Sequence, residues 1–241
     1  VLFIRIDLEV AVTTRAKPLL LTETEISWKP YISRPDKTLA KTPIHTVCSD
    51  PDARLINIWL DLREFAKGAN LALQTNRKLS PRLFQETLIS ILYRLLFLSY
   101  AEADAQEAFR MLMIHVSTSI LFSTQSNNAS YSQHEHMLIP ALRMMNSFQD
   151  TSPKLWLWTA FIARLRQQPP KDYRWLNESM FRRICGVGIA KWDEVRAILK
   201  EFIWVDGLYH EAGMRVFDEV MNSRPVSLAT GSPSALVPPS A

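Results

Sequence analysis

The sequence predicts an all-α protein: an irregular, non-solenoid array of about seven to nine helices behind an extended N-terminal segment. Three observations predict it. Beyond residue 50, apolar residues recur at three- and four-residue intervals, the period of helices that bury one face. Ser-Pro or Asp-Pro steps open several of these stripes, placing a capping side chain ahead of a proline whose missing N–H costs no helical bond. Glycine is scarce, 6 residues against 14 prolines in 241, which suits helices joined by proline-marked turns and argues against a β-sandwich or barrel.

Residues 1–49 stand apart. "VLFIRIDLEVAV" alternates weakly and reads as a strand or a short helix. Ser27 to Val47 carries Pro30, Pro35 and Pro43 without a clean period and reads as a loop draped over the rest. The chain opens with valine instead of methionine and reads as a piece of a longer polypeptide or a processed product.

Residues 50–222 form the expected helical domain. Asp50-Pro51 starts a helix with Leu55, Ile58, Trp59, Leu62, Ala66, Ala69 and Leu73 on one face. Ser80-Pro81 starts a second, with Phe84, Leu88, Ile91, Leu92, Leu95 and Leu98 inward. Ile89, Leu96 and Phe97 on its other faces make it the expected central helix. A third, over 101–122, carries Ala105, Phe109, Leu112, Met113, Val116 and Ile120. Beyond a polar loop, Ser132 and Glu135 have capping-box spacing, and Pro140 kinks or restarts that helix.

Ser152-Pro153 opens the next helix, stopped by Pro169-Pro170. Another runs from Asp172 to Cys185, with Gly186 as a left-handed cap. Trp192, Val195, Ile198, Leu199, Phe202 and Ile203 then make one stripe, and Met214, Phe217, Val220 and Met221 a second. Gly207 interrupts them, giving two helices or one bent helix. Residues 223–241, rich in proline and serine, read as a disordered tail.

The residues offer little chemistry. The formal charge of +4 is spread among alternating acids and bases, so no nucleic-acid patch is expected. Two cysteines, Cys48 and Cys185, build neither a disulfide framework nor a zinc module, and a reducing compartment follows. The most apolar run, Leu88 to Tyr100, is too short to span a bilayer and contains Arg94, so no membrane association is expected.

His134 and His136 sit two apart, which on a helix points them away from each other, so no metal ligands are assigned. Asp206 with His210, and Glu211 with Arg215, have i,i+4 spacing, but no nucleophile or oxyanion donor accompanies them, and no catalytic residue is assigned. "GVGIAK" lacks a preceding strand and a third glycine, so it is a turn between helices. The tryptophans of the second half read as core. The edges of that cluster at Trp156, Trp175 and Trp204 are the candidate pocket or partner surface.

"GIAKWDEVRAILKEFIWVDGLYHEAGMRVFDEV" resembles the C-terminal end of the fungal-specific transcription factor domain, the helical region that accompanies binuclear zinc-cluster DNA-binding modules. The positions that carry the likeness are Trp192, Val195, Leu199, Trp204, Asp206 and Glu211, with Phe217 where the family often has tryptophan. "LWLWTAFIARL", "YRWLNESMFRRICGVGIAKW" and "EAFRMLMIHVSTSILF" resemble upstream helices of the same region, so the likeness covers Leu55 to Met221.

The resemblance implies a nuclear, non-catalytic regulatory and interaction domain in the control of RNA polymerase II transcription. Its partners would be proteins or a second copy, with a small-molecule inducer. The family reads DNA through a six-cysteine zinc cluster, which two cysteines cannot build. Zinc and DNA contact are therefore expected only in an upstream module, or the cluster has been lost, and no cofactor is expected in this chain. An all-helical small-molecule enzyme and a general helical scaffold are the alternatives.

Overall fold

The computed structural model of the chain describes residues 2–32, 42–78, 80–122, 138, 142–145, 152–165 and 174–223. Among these are eight α-helices whose bounds are described, further helical residues at 138 and 142–145, two 3-10 turns and no strand.

The expected extended N-terminus is corrected at its start, where α1 (Leu2–Thr14) is a helix. Asp7, Leu8, Ala11 and Val12 are its buried residues, a helical spacing that outweighs the weak alternation. Arg15 ends α1 in the left-handed region, and the Ala16 N–H closes on the Ala11 carbonyl at 3.1 Å. The chain then runs irregularly to residue 32, apart from the 3-10 turn Glu23–Glu25. A second turn, Pro43–Thr46, precedes the first long helix.

In α2 (Ala53–Gln74) the cap is Asp52, not Asp50. Its carboxylate accepts the Arg54 N–H at 2.8 Å, so Pro51 lies ahead of the cap. Asn76 ends this helix with φ of 51°, a conformation asparagine tolerates, and Leu73 in the last turn is exposed instead of joining the stripe. Ser80 caps α3 (Pro81–Phe97) with Pro81 first, as the sequence reads.

α4 (Ala105–Leu121) begins later than expected because Asp104 captures the Gln106 N–H at 2.9 Å. It is followed by α5 (Pro153–Arg164), α6 (Arg174–Gly186), α7 (Trp192–Lys200) and α8 (Asp206–Asn222). The left-handed glycine after α6 is Gly188, at φ 71°, not Gly186. Gly188 N–H bonds Cys185 O and Ile189 N–H bonds Ile184 O, the two reversed bonds of a Schellman cap. α7 and α8 are separate helices. The break is residues 201–205, and Gly207 belongs to the first turn of α8. The polar loop, Ser132, Glu135, Pro140, Pro169-Pro170, Asp172 and residues 224–241 lie outside the described residues.

α3 packs against α1, α2 and α4, while α5 packs against α4, α6, α7 and α8. α2 joins the two groups by touching α4 and α8. One continuous core runs from Leu8 to Val220. Its central helix is α4 and not α3. Every residue from Met111 to Leu121 is buried, whereas α3 leaves Leu83 exposed and Ile89, Leu96 and Phe97 half-buried. The stripe rule under-reads α4 because its other faces carry Ser117, Thr118 and Ser119. Thr118 and Ser119 hydroxyls return to carbonyls of their own helix, at 2.8 Å and 2.7 Å.

Two buried carboxylates hold the N-terminal segment on this core. Asp7 accepts the Leu19 and Leu20 N–H groups at 2.8 and 3.1 Å and the Tyr93 hydroxyl at 2.8 Å. Asp61 pairs with Arg94 at 2.8 Å and accepts the Tyr31 and Ile32 N–H groups, each at 2.8 Å. Asp61 and Arg94 are 0% and 1% exposed, so each compensates a charge that burial alone would make costly.

Candidate functional site

The segment singled out by the sequence builds a junction where α7, α8 and α2 meet. Trp192 begins α7 and its ring centroid lies 6.2 Å from Trp204, 6.1 Å from Phe217 and 5.9 Å from Phe161. Val195 and Leu199 follow on the same face, both fully buried. Helical spacing places these side chains together, because positions three and four apart share a face.

Asp206 sits in the first turn of α8, where a carboxylate faces the positive helix end. It receives Arg196 through two bonds of 2.9 Å, Lys200 at 2.9 Å and the Trp204 Nε1–H at 3.1 Å. Burial pushes its carboxyl upward, but the hydrogen bonds and charges of Arg196 and Lys200 outweigh burial and leave it below the usual range. Asn70 of α2 completes the junction: its amide donates to the Trp204 carbonyl at 2.7 Å and accepts the Asp206 N–H at 2.8 Å.

Around the carboxylate, Trp158 donates its Nε1–H to the Ile203 carbonyl at 2.8 Å, fastening the α7–α8 link to α5. Tyr209 and Ser119 share a short hydroxyl contact between α8 and α4. Gly213 lies under two indoles. A Cβ there would stand 2.6 Å from Trp192 Cη2 and 2.9 Å from Trp204 Cη2.

The expected i,i+4 partner of Asp206 is replaced. His210 lies beside the Trp192 indole, with 3.4 Å between Nε1 and Nδ1, while the carboxylate turns to Arg196 and Lys200. Glu211 is exposed, and Phe217 is buried. Asp206 is an acceptor already filled by two cations and an indole, an arrangement that locks two helices together.

The candidate surface is also corrected. Trp156 and Trp204 are wholly buried and present no wet edge, because each lies inside the contacts of neighbouring helices. Arg183 covers the Trp156 ring at 4.4 Å, and burial pushes the Arg183 guanidinium down. Trp175 is half-buried, with Arg143 at 5.6 Å over its ring.

Three of the cavities among the described residues lie elsewhere. One of 310 Å³ separates α2 from α3 around Phe65 and Phe84, one of 270 Å³ lies beside Trp59 and Arg63, and one of 200 Å³ lies at the ends of α1 and α3. None is lined by Trp156, Trp175 or Trp204.

Sequence reasoning missed Asn70, Arg196, Lys200 and Gly213. Two signals were present: Asn70 interrupts an otherwise apolar face of α2, and Arg196 and Lys200 share one face of α7 four residues apart. Among the described residues no group of three metal-ligating side chains occurs, and no helix is long and apolar enough to cross a membrane. Cys48 and Cys185 are free thiols. His134 and His136 lie outside the described residues. No protein-family model, curated protein or solved structure matches this chain.

Proposed function

We propose that this chain is the regulatory and interaction domain of a fungal transcription factor, acting in the nucleus on RNA polymerase II transcription without catalysis of its own. The observation that carries the reading is the junction itself. Six of the positions behind the family resemblance, Trp192, Val195, Leu199, Trp204, Asp206 and Phe217, form one interlocked unit in space. Glu211 stands outside that unit and exposed. In this reading any zinc cluster and its DNA recognition lie outside this chain or have been lost, and the helical array supplies contacts to protein partners, to a second copy or to an inducer.

The test is a fusion of the chain to an unrelated DNA-binding module in a fungal reporter strain. Reporter output that differs from the module alone, with the fusion in the nucleus, is the expected result. Output identical to the module alone, from a fusion shown to be folded and nuclear, overturns the proposal. Trp204→Ala separates structure from contact: loss of cooperative unfolding together with loss of output fits the packing seen here. Intact stability with altered output would make Trp204 a contact residue.

A further inference from the structure

The 310 Å³ cavity between α2 and α3 has a mainly apolar wall. Phe65 and Phe84 make part of that wall aromatic, with ring centroids 4.8 Å apart. Tyr31, Ile32 and Leu83 also line it and stand 52%, 40% and 56% exposed. Two of these three are held in place from below. The buried Asp61, paired with Arg94, accepts the Tyr31 and Ile32 N–H groups, which fixes their backbone beside the cavity while their side chains stay exposed. A buried ion pair contributes little net stability on its own account. Here it sets two apolar side chains at the rim of an apolar cavity, the arrangement of a ligand-binding groove.

Two further residues mark this space as one that is kept open. Gly68 lines it from the interior of α2, where glycine destabilises a helix relative to alanine. Neither a positive φ nor a crowding neighbour calls for glycine there, because a Cβ would meet nothing within 4 Å. What the missing side chain leaves is room. Thr87 of α3 is 2% exposed and lines the same cavity, and its hydroxyl meets no hydrogen-bond partner among the described residues. That hydroxyl is not sealed off: it keeps accessible surface, and the cavity is the space that Thr87 lines. Buried hydroxyls normally find a partner, so this one is a donor and acceptor left for a ligand. Among the described residues of the wall there is no cation, and the one acid, Glu64, is paired with Lys67 at 2.6 Å.

We propose that this cavity binds a small neutral molecule of two fused aromatic rings that carries a hydroxyl. The rings lie against Phe65, Phe84 and Ile32, in the space left by Gly68, and the hydroxyl bonds that of Thr87. The volume of 310 Å³ is twice the ~150 Å³ that holds a benzene ring and reaches the ~300 Å³ at which ligand pockets begin. A wall with a carboxylate and no cation disfavours an anion. Three exposed apolar side chains at the rim cannot supply the ~800 Å² per partner of a stable dimer, so the occupant is a small molecule and not a second copy. The site stands whether or not the chain regulates transcription.

The experiment uses the purified chain with 2-naphthol, naphthalene and 2-naphthoate as probes: the same rings with a hydroxyl, with no substituent and with a negative charge. Equilibrium dialysis gives the three affinities, and nuclear Overhauser contacts give the place. 2-Naphthol should bind below millimolar concentration, with contacts from its ring protons to the Ile32 and Thr87 methyl groups. 2-Naphthoate should bind more weakly by about tenfold or more. Thr87→Val keeps the side chain's shape and removes its hydroxyl. It should weaken 2-naphthol by about two- to tenfold, the share of one hydrogen bond, and leave naphthalene unchanged. Gly68→Leu, which puts a side chain into the open space, should weaken both. The proposal is overturned if neither neutral probe binds below millimolar concentration, if no contact to Ile32 or Thr87 appears, if 2-naphthoate binds as well as 2-naphthol, or if Gly68→Leu binds 2-naphthol as tightly as the parent. A dimer in sedimentation that Leu83→Glu dissociates would put a second copy over the cavity and would also overturn it. Should Gly68→Leu not fold, the Thr87→Val titrations decide the matter, and an unchanged 2-naphthol affinity sinks the proposal. A null result in transcription leaves these titrations untouched.

Discussion

Gly213→Ala sets two opposing effects against each other. In an exposed helix the change stabilises by about 0.8–1 kcal/mol, because glycine carries the larger backbone entropy. At this position the new methyl would stand 2.6 Å from Trp192 Cη2, 2.9 Å from Trp204 Cη2 and 3.1 Å from Trp204 Cζ2. Both obstacles are wide, rigid rings locked by neighbours: Trp204 is bonded to Asp206, and Trp192 is wedged between Phe161 and Phe217. Overpacking of this kind costs about 1–3 kcal/mol. The clash should win, for a net loss of up to about 2 kcal/mol. Urea denaturation followed by far-ultraviolet circular dichroism gives the sign directly. The midpoint should fall at constant slope, and tryptophan emission should shift as the indoles move. A midpoint that rises would mean that α8 does not press against these rings, and the junction described above would be wrong.

Other substitutions probe the same contacts. Asn70→Ala strips one acceptor and one donor from the chain at Trp204 and Asp206 and should cost about 1–3 kcal/mol in the same denaturation assay, whereas the exposed Leu71→Ala should cost little. Asp61→Ala leaves Arg94 buried without its carboxylate and should cost about 3–5 kcal/mol, with protease cleavage appearing near residues 29–32 as the segment comes loose. For Asp206, whose folded carboxyl is depressed, the linked stability is complete above the ordinary aspartate value of about 3.9 and is lost as pH falls through the lower folded value. An acid titration should therefore show Asp206→Asn less stable than the parent at neutral pH, with the gap narrowing below about pH 4.

Helix existence was legible because it depends on spacing, and spacing is local. Ser80-Pro81 and the stripe from Leu88 to Leu95 needed nothing beyond their own neighbours to be read. The misreadings came where distant groups decide. Asp52 takes the cap from Asp50 because it also meets Arg54 and Tyr100. Gly188, not Gly186, is the left-handed residue because the register of the last α6 carbonyls selects it. Trp156 and Trp204 looked like edges in a linear stripe, yet packing on several sides encloses them. The Asp206 junction draws its partners from 136 residues away at Asn70, a distance no periodicity spans. The 270 Å³ cavity has no sequence signature at all, since its walls come from segments far apart in the chain.

The two clasps at Asp7 and Asp61 bear on how this protein is to be dissected. Trimming at residue 50, the boundary that composition suggests, would remove Asp7 altogether and deprive Asp61 of the amides of Tyr31 and Ile32. The shortened product would expose Leu8 and Val12's seats along with an under-coordinated Arg94 pair, and its failure in any assay would report a broken scaffold. Deletion series on this chain become informative only when the leading helix and its return strap travel with the remainder.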